Sequence, residues 1–317
     1  MKSKKLISCL ALTLCATTLT ACMKMDKHVS FSYYWYQDAD IPTSSAETLV
    51  YDVHFKQSSG ISQNFTVDYK GTMTTVLSKA DEDKFRYESN LVMDVTYTLN
   101  GEQTTLQDTV YSWVEFKNDK ALSPIASHKE IVNHSPVNAT VDALDKCYVK
   151  YAYTLDTTYA DDLSSGSTKL VNNETEDAKN NAFELENKLT VIDNELLLLA
   201  LRGINPATYP NPSFAVYAPF TNAVQTVKAS FSTKEEGTEF TFKKDLEEEK
   251  KSRVINYRAA TLSIDDKNPG QSQTAWIAET SDFKSNTYRN VILRLETPIS
   301  YNLGTLVYEL SSAEFSK

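Results

Sequence analysis

Apolar and polar residues alternate with a period of two through most of this chain, and that pattern constrains the fold more than any other feature. Leu49, Tyr51, Val53 and Phe55 share one phase, and Leu91, Met93, Val95, Tyr97 and Leu99 share another with Val92, Asp94, Thr96 and Thr98 between them. Such runs are half-buried antiparallel strands, one face on a core and one in water. Asn100-Gly101 ends the second run, and residues 104 to 116, with Val110, Trp113, Val114 and Phe116, supply its partner, which predicts a hairpin. Comparable runs recur at 64 to 78, 146 to 155, 183 to 192, 213 to 219, 225 to 232, 238 to 243, 259 to 264, 289 to 296 and 303 to 310. About a dozen strands imply one extended curved sheet or barrel. Composition agrees, since 18 Tyr and 13 Phe favour strands, while 8 Gly and 9 Pro in 317 residues exclude a collagen-like or flexible low-complexity chain.

One segment breaks the alternation. Asp193-Asn194-Glu195-Leu196-Leu197-Leu198-Leu199-Ala200-Leu201-Arg202-Gly203 offers an N-cap in Asp193, acid in its first turn, Arg202 in its last and Gly203 as terminator. Four successive leucines at about 100° each surround the helix axis with apolar surface, so the helix must be covered. The expected fold class is α+β, mainly β: a large curved antiparallel sheet, a half-barrel, wrapped around one or a few short helices. Residues 243 to 253 carry mixed charge suited to a solvated helix or long hairpin tip, and 157 to 181 and 265 to 273 read as loops, the latter turning at Asn268-Pro269-Gly270.

The opening residues address the chain. Lys2, Lys4 and Lys5 precede an apolar stretch from Leu6 to about Leu14, too short to span a bilayer, which reads as a secretory signal. It ends in Leu19-Thr20-Ala21-Cys22. Here the chain resembles the bacterial lipoprotein signal, in which a Leu-x-small-Cys box precedes the cut and the cysteine is lipidated. That resemblance implies a signal peptide over 1–21, a lipidated tether over 22–45, a single β-rich domain over 46–317, and Cys22 as an acylated first residue held to a bacterial membrane on its extracytoplasmic side. Two or three acyl chains on one cysteine anchor durably where one is marginal.

Processing removes three lysines and no acid from a chain of net charge -10, leaving a still more acidic body that repels nucleic acid and anionic headgroups. Of the four cysteines, Cys147 alone stays unmodified, in phase with Val149, Tyr151 and Tyr153, as a small buried hydrophobe. Within the tether, Phe31, Tyr33, Tyr34, Trp35 and Tyr36 admit two readings, rings at the bilayer interface or rings packed on the domain.

Catalytic signatures are missing. The sequence has no GxSxG elbow, HExxH, Walker loop or GxGxxG. His28, His54, His128 and His134 show no metal-binding spacing, and Lys267 and Pro269 stand where a calcium loop from Asp265 to Gly270 would want acid or amide. The expectation is a non-enzymatic protein with no cofactor, no metal and no nucleic-acid partner.

The unit Leu189-Thr190-Val191-Ile192-Asp193, Leu196 to Arg202, and Ser213-Phe214-Ala215-Val216 resembles a segment of an uncharacterised domain in secreted bacterial proteins. The tail, with Gln273-Thr274-Ala275-Trp276, Tyr288 to Glu296 and Leu303 to Tyr308, looks like the end of uncharacterised lipoproteins of the same type. That group is similar in architecture to lipoprotein and lipid carriers of the LolA and LppX kind, which implies a curved sheet around helices with an apolar cavity. On this reading Leu197, Leu198 and Leu201 line a site for a lipid or lipidated protein on the concave face. Two alternatives stand beside it: an envelope scaffold or interaction protein whose leucines simply fill the core, and an uncharacterised hydrolase.

Overall fold

The computed structural model describes residues 28–32, 45–58, 64–137, 142–185, 189–232, 236–242, 251–264, 272–278, 290–299 and 303–315. The signal peptide, Cys22, the ring cluster at 33–36, the charged stretch at 243–250 and the turn at 265–270 lie outside the described residues. The first half of the described chain is a meander of long strands, β1 (Ser45–Gln57), β2 (Phe65–Asp81), β3 (Lys84–Leu99), β4 (Glu102–Lys117), β5 (Pro124–Pro136), β6 (Tyr148–Tyr159), β7 (Ser165–Asn172) and β8 (Ala178–Glu184). A short β9 (Val191–Asp193) leads through a 3₁₀ turn at Asn194–Leu196 into the helix α1 (Leu197–Gly203). The second half is β10 (Ser213–Ala218), β11 (Ala223–Phe231), β12 (Glu236–Phe242), β13 (Lys251–Ile264), β14 (Gln273–Ala278), β15 (Ile292–Pro298) and β16 (Gly304–Phe315). No helix among the described residues is long and apolar enough to cross a membrane.

All of these strands belong to one 16-stranded sheet, ordered β8-β7-β6-β5-β4-β3-β2-β1-β16-β15-β14-β13-β11-β10-β9, with β12 paired to β13 off that path. The fold is mainly β, as the alternation predicts. Two meanders meet where β1 pairs β16, with Glu47 opposite Phe315 and Gln57 opposite Gly304. Among the described strands only β9 and β10 pair in parallel. At about 3.3 Å per residue, the 17 residues of β2 and the 16 each of β3 and β4 reach some 50 Å. The β3–β4 hairpin turns on Asn100 and Gly101 with φ of 51° and 89°, the pair of positive values a type I′ turn requires.

The sheet curls far enough for side chains to bridge what its ladders leave open. The Tyr217 hydroxyl on β10 lies 2.9 Å from the Thr168 hydroxyl on β7, and its ring stacks on Phe183 of β8 with centroids 3.7 Å apart. Inward residues of the strands and the buried leucines of α1 form the main core.

Three expectations are corrected. The span 157 to 181, read as a loop, contains the end of β6, all of β7 and the start of β8; most of their residues are polar, and the inward positions Thr157 and Thr168 are buried threonines, so alternation has little apolar phase to report. Gly203 does not terminate the helix through a left-handed conformation. It is the last residue of α1 and lets the backbone of Phe31 approach: a Cβ there would stand 2.5 Å from the Phe31 carbonyl oxygen. Val29 and Phe31, which fall within the span expected to be tether, are buried in the core. The Phe31 amide donates to the Lys120 carbonyl at 2.8 Å, the Val29 amide donates to Thr190 Oγ1 at 2.9 Å, and the Phe31 ring meets Phe214 edge-on at 5.5 Å.

Candidate functional site: a cavity between the helix and the concave sheet

Register places inward side chains of β3 to β6 in rows across the floor of the half-barrel. Leu91, Val110 and Ile131 stand opposite one another on successive strands and make an apolar row. The neighbouring row is Ser89, Ser112, Lys129 and Leu155, and Ser127 faces Thr157 in the next. Above this floor lie Leu197 and Leu198 of α1. Between them lies a cavity of about 240 Å³, with Ala218 to Thr221 of the β10–β11 turn along one side and Leu295, Thr297 and Tyr308 along another. The Phe220 ring meets Tyr153 of β6 edge-on, with centroids 5.2 Å apart.

Of the three leucines expected at the site, the structure brings Leu197 and Leu198 to the cavity and not Leu201. Leu201 is fully buried one helical turn, about 6 Å, further along the axis. There it borders a separate void of about 20 Å³ with Ile204, Phe231 and Ile277. Arg202, expected as an end-of-helix cation, turns inward instead. Its guanidinium pairs in bidentate fashion with Glu47 of β1, at 2.8 and 2.7 Å, and both side chains are 1% exposed. Its Nε donates to the Asn290 carbonyl at 3.1 Å, and Asn290 Nδ2 donates back to the Arg202 carbonyl at 3.1 Å. The helix is thereby pinned to the centre of the sheet.

The other helix end carries the polar chemistry. Asp193 caps the 3₁₀ turn by accepting from the Glu195 amide at 2.8 Å, as its sequence position predicts. It also accepts from Ser127 Oγ at 2.7 Å and the Tyr159 hydroxyl at 2.5 Å, which ties β9 to β5 and β6. Burial, reinforced by the charge of Glu195, raises the Asp193 carboxyl to about 6 against the pull of those hydrogen bonds. Burial is the largest single influence on Glu195 and pushes it upward, but the Lys129 ammonium at 2.8 Å together with hydrogen bonds from Asn194 and Ser112 outweighs it and leaves Glu195 below the ordinary carboxylate value. Asn194 Nδ2 donates to the same Glu195 oxygen at 3.1 Å. Lys129 and Glu195 both line the cavity.

A second buried acid, Asp108, lies where the β4–β5 ladder ends at Thr109 opposite Val132. It accepts from the His134 amide at 2.9 Å, from His134 Nδ1 at 2.7 Å and from Asn133 Nδ2 at 2.9 Å, so its carboxylate replaces the missing ladder bonds. Burial lifts it to about 6, with His134 opposing. Cys147 is buried and its thiol is raised by burial, an environment that suppresses the thiolate. Among the described residues no group of three or more acid, His or Cys side chains could hold a metal ion.

No protein-family model and no curated protein matches the sequence. Among solved structures the chain is similar to a β-barrel-like protein of the domain of unknown function DUF1849 from Brucella abortus. The TM-score is 0.52 at 13% identity, and the match covers 86% of this chain and 99% of that one. At that identity the likeness is one of fold.

Proposed function

We propose that the protein is a non-enzymatic, extracytoplasmic lipoprotein, held to a bacterial membrane by lipid on Cys22, whose half-barrel binds an apolar ligand against α1. The observation that carries this reading is the cavity of about 240 Å³ between Leu197, Leu198 and the Leu91-Val110-Ile131 row. A scaffold needs its helix packed flush on the sheet, and close packing leaves few voids larger than a water molecule. Small-molecule pockets occupy about 300–1,000 Å³, so this one suits a single apolar chain or small molecule rather than a two-chain lipid. A lipidated protein would enter by one acyl chain. The Leu19-Thr20-Ala21-Cys22 box supports the anchor.

Gentle purification of the chain, followed by extraction and mass spectrometry, tests the ligand. An enriched single-chain lipid, lost in a Leu198→Trp variant that fills the cavity, is the expected result. No enriched lipid, with no shift in melting temperature on adding lipids, would overturn it. For the anchor, Cys22→Ala should lose fatty-acid labelling and leave the membrane fraction; unchanged labelling refutes the assignment.

A further inference from the structure

The charge pattern inside the cavity says which head group its occupant carries. Among the described residues, Lys129 and Glu195 are the charged side chains on the lining, and they already neutralise each other at 2.8 Å. The Lys129 ammonium carries three N–H bonds, of which Glu195 takes one. Ser127 spends its proton on Asp193, which leaves its oxygen as an acceptor on the cavity wall. Donor and acceptor thus stand together beside the apolar Leu91-Val110-Ile131 row of the floor.

A charged head fits this place poorly. A carboxylate would have to share Lys129 with Glu195, with the carboxyl of Asp193 buried close behind, and like charges in a half-buried site repel strongly. An ammonium would set a second cation beside Lys129. A hydroxyl or an N–H-bearing amide can accept from Lys129 and donate to Ser127 without breaking the existing pair, and an ester carbonyl beside a free hydroxyl, as in a monoacylglycerol, divides the two roles between its groups.

We propose that the cavity selects a single-chain amphiphile with an uncharged hydrogen-bonding head, such as a monoacylglycerol or fatty amide, over the fatty acid or fatty amine of equal length. This rests on the apolar-ligand reading above and adds the chemistry of the head. The test is calorimetric titration of the full chain at neutral pH with monododecanoyl glycerol, dodecanoate and dodecylammonium, each below its micellar concentration. The glycerol ester is expected to bind at least about tenfold more tightly than either ion, the scale of an uncompensated charge in a partly buried site. In a Glu195→Gln variant, which frees Lys129 for an anion, dodecanoate should gain about tenfold while the ester changes little. Dodecanoate or dodecylammonium binding the unaltered chain as tightly as the ester overturns the proposal and leaves the apolar-ligand reading standing. Binding by none of the three overturns both.

Discussion

Arg202 and Glu47 make the sharpest stability prediction. The pair is buried, bidentate and isolated from water, and it joins α1 to β1 across 155 residues of sequence. Replacing Arg202 by Met leaves the Glu47 carboxylate in a low-dielectric interior with both of its guanidinium bonds gone and the Asn290 carbonyl without its Nε donor. Breaking a buried pair by removing one partner costs about 3–5 kcal/mol, because the remaining charge is uncompensated. Glu47→Leu should cost a similar amount by stranding the guanidinium. The double variant Arg202→Met with Glu47→Leu strands neither charge, so most of the loss should return; with single losses of about 3–5 kcal/mol each and a double variant near the parent, the cycle should give a coupling of about 5–9 kcal/mol. Urea unfolding followed by circular dichroism gives the midpoints, with unchanged slopes as the condition for reading them as stability. Single variants within about 1 kcal/mol of the parent, or a double variant as unstable as the two losses added, would refute the reasoning.

Asp108 and Asp193 predict the pH dependence. Both carboxyls are raised from 3.8 to about 6, so between those values the folded chain holds protons that the unfolded chain has released. Unfolding free energy therefore falls as pH rises through that window, by about 3 kcal/mol for each group at 1.36 kcal/mol per unit. Glu195 acts in the opposite sense, but only below its ordinary value near 4.5. The melting temperature should be higher at pH 5 than at pH 7.5, and Asp193→Asn should flatten the dependence; a parent curve that is level or reversed contradicts it. Gly203→Ala places a methyl group against the Phe31 carbonyl and should release residues 28–32 from the core. Faster proteolysis near residue 32 would report it, and unchanged cleavage would show that the strand of contacts tolerates the methyl. Phe220→Ala removes the ring that meets Tyr153 beside the cavity, so ligand should dissociate faster while the melting temperature without ligand changes little. Equal off-rates would dismiss any role for that contact in retention.

The long inward-outward strands were legible because one face of each packs on the core and the other meets water. The type I′ hairpin at Asn100-Gly101 and the Asp193 cap were legible because they are local chemistry. β5 was not: Ser127, Lys129 and Asn133 occupy its inward positions, so the phase that should read as apolar is polar. With β5 unread, the polar wall of the cavity was hidden too. Glu195 and Arg202 sit where a helix wants acid and base for its dipole, which masks their pairing with Lys129 and Glu47. Those partners are fixed by sheet curvature and chain crossing, which no local window carries. Leu201 was placed with Leu197 because both share a helix face, but a face has no depth and the cavity ends within one turn.

The seam between β1 and β16 sets a condition on how this chain is made. The first described strand is held by the last, so the two meanders can each begin to assemble but stay unjoined until residues beyond 304 have left the ribosome. Before then both halves expose a bare edge at what becomes the middle of the sheet, and such edges recruit other strands. A chain cut short by a dozen residues at its C-terminus would lose no part of the cavity except Tyr308, yet it would open the sheet at its centre. Aggregation during synthesis, rather than weak binding, is the failure to expect from C-terminal truncation.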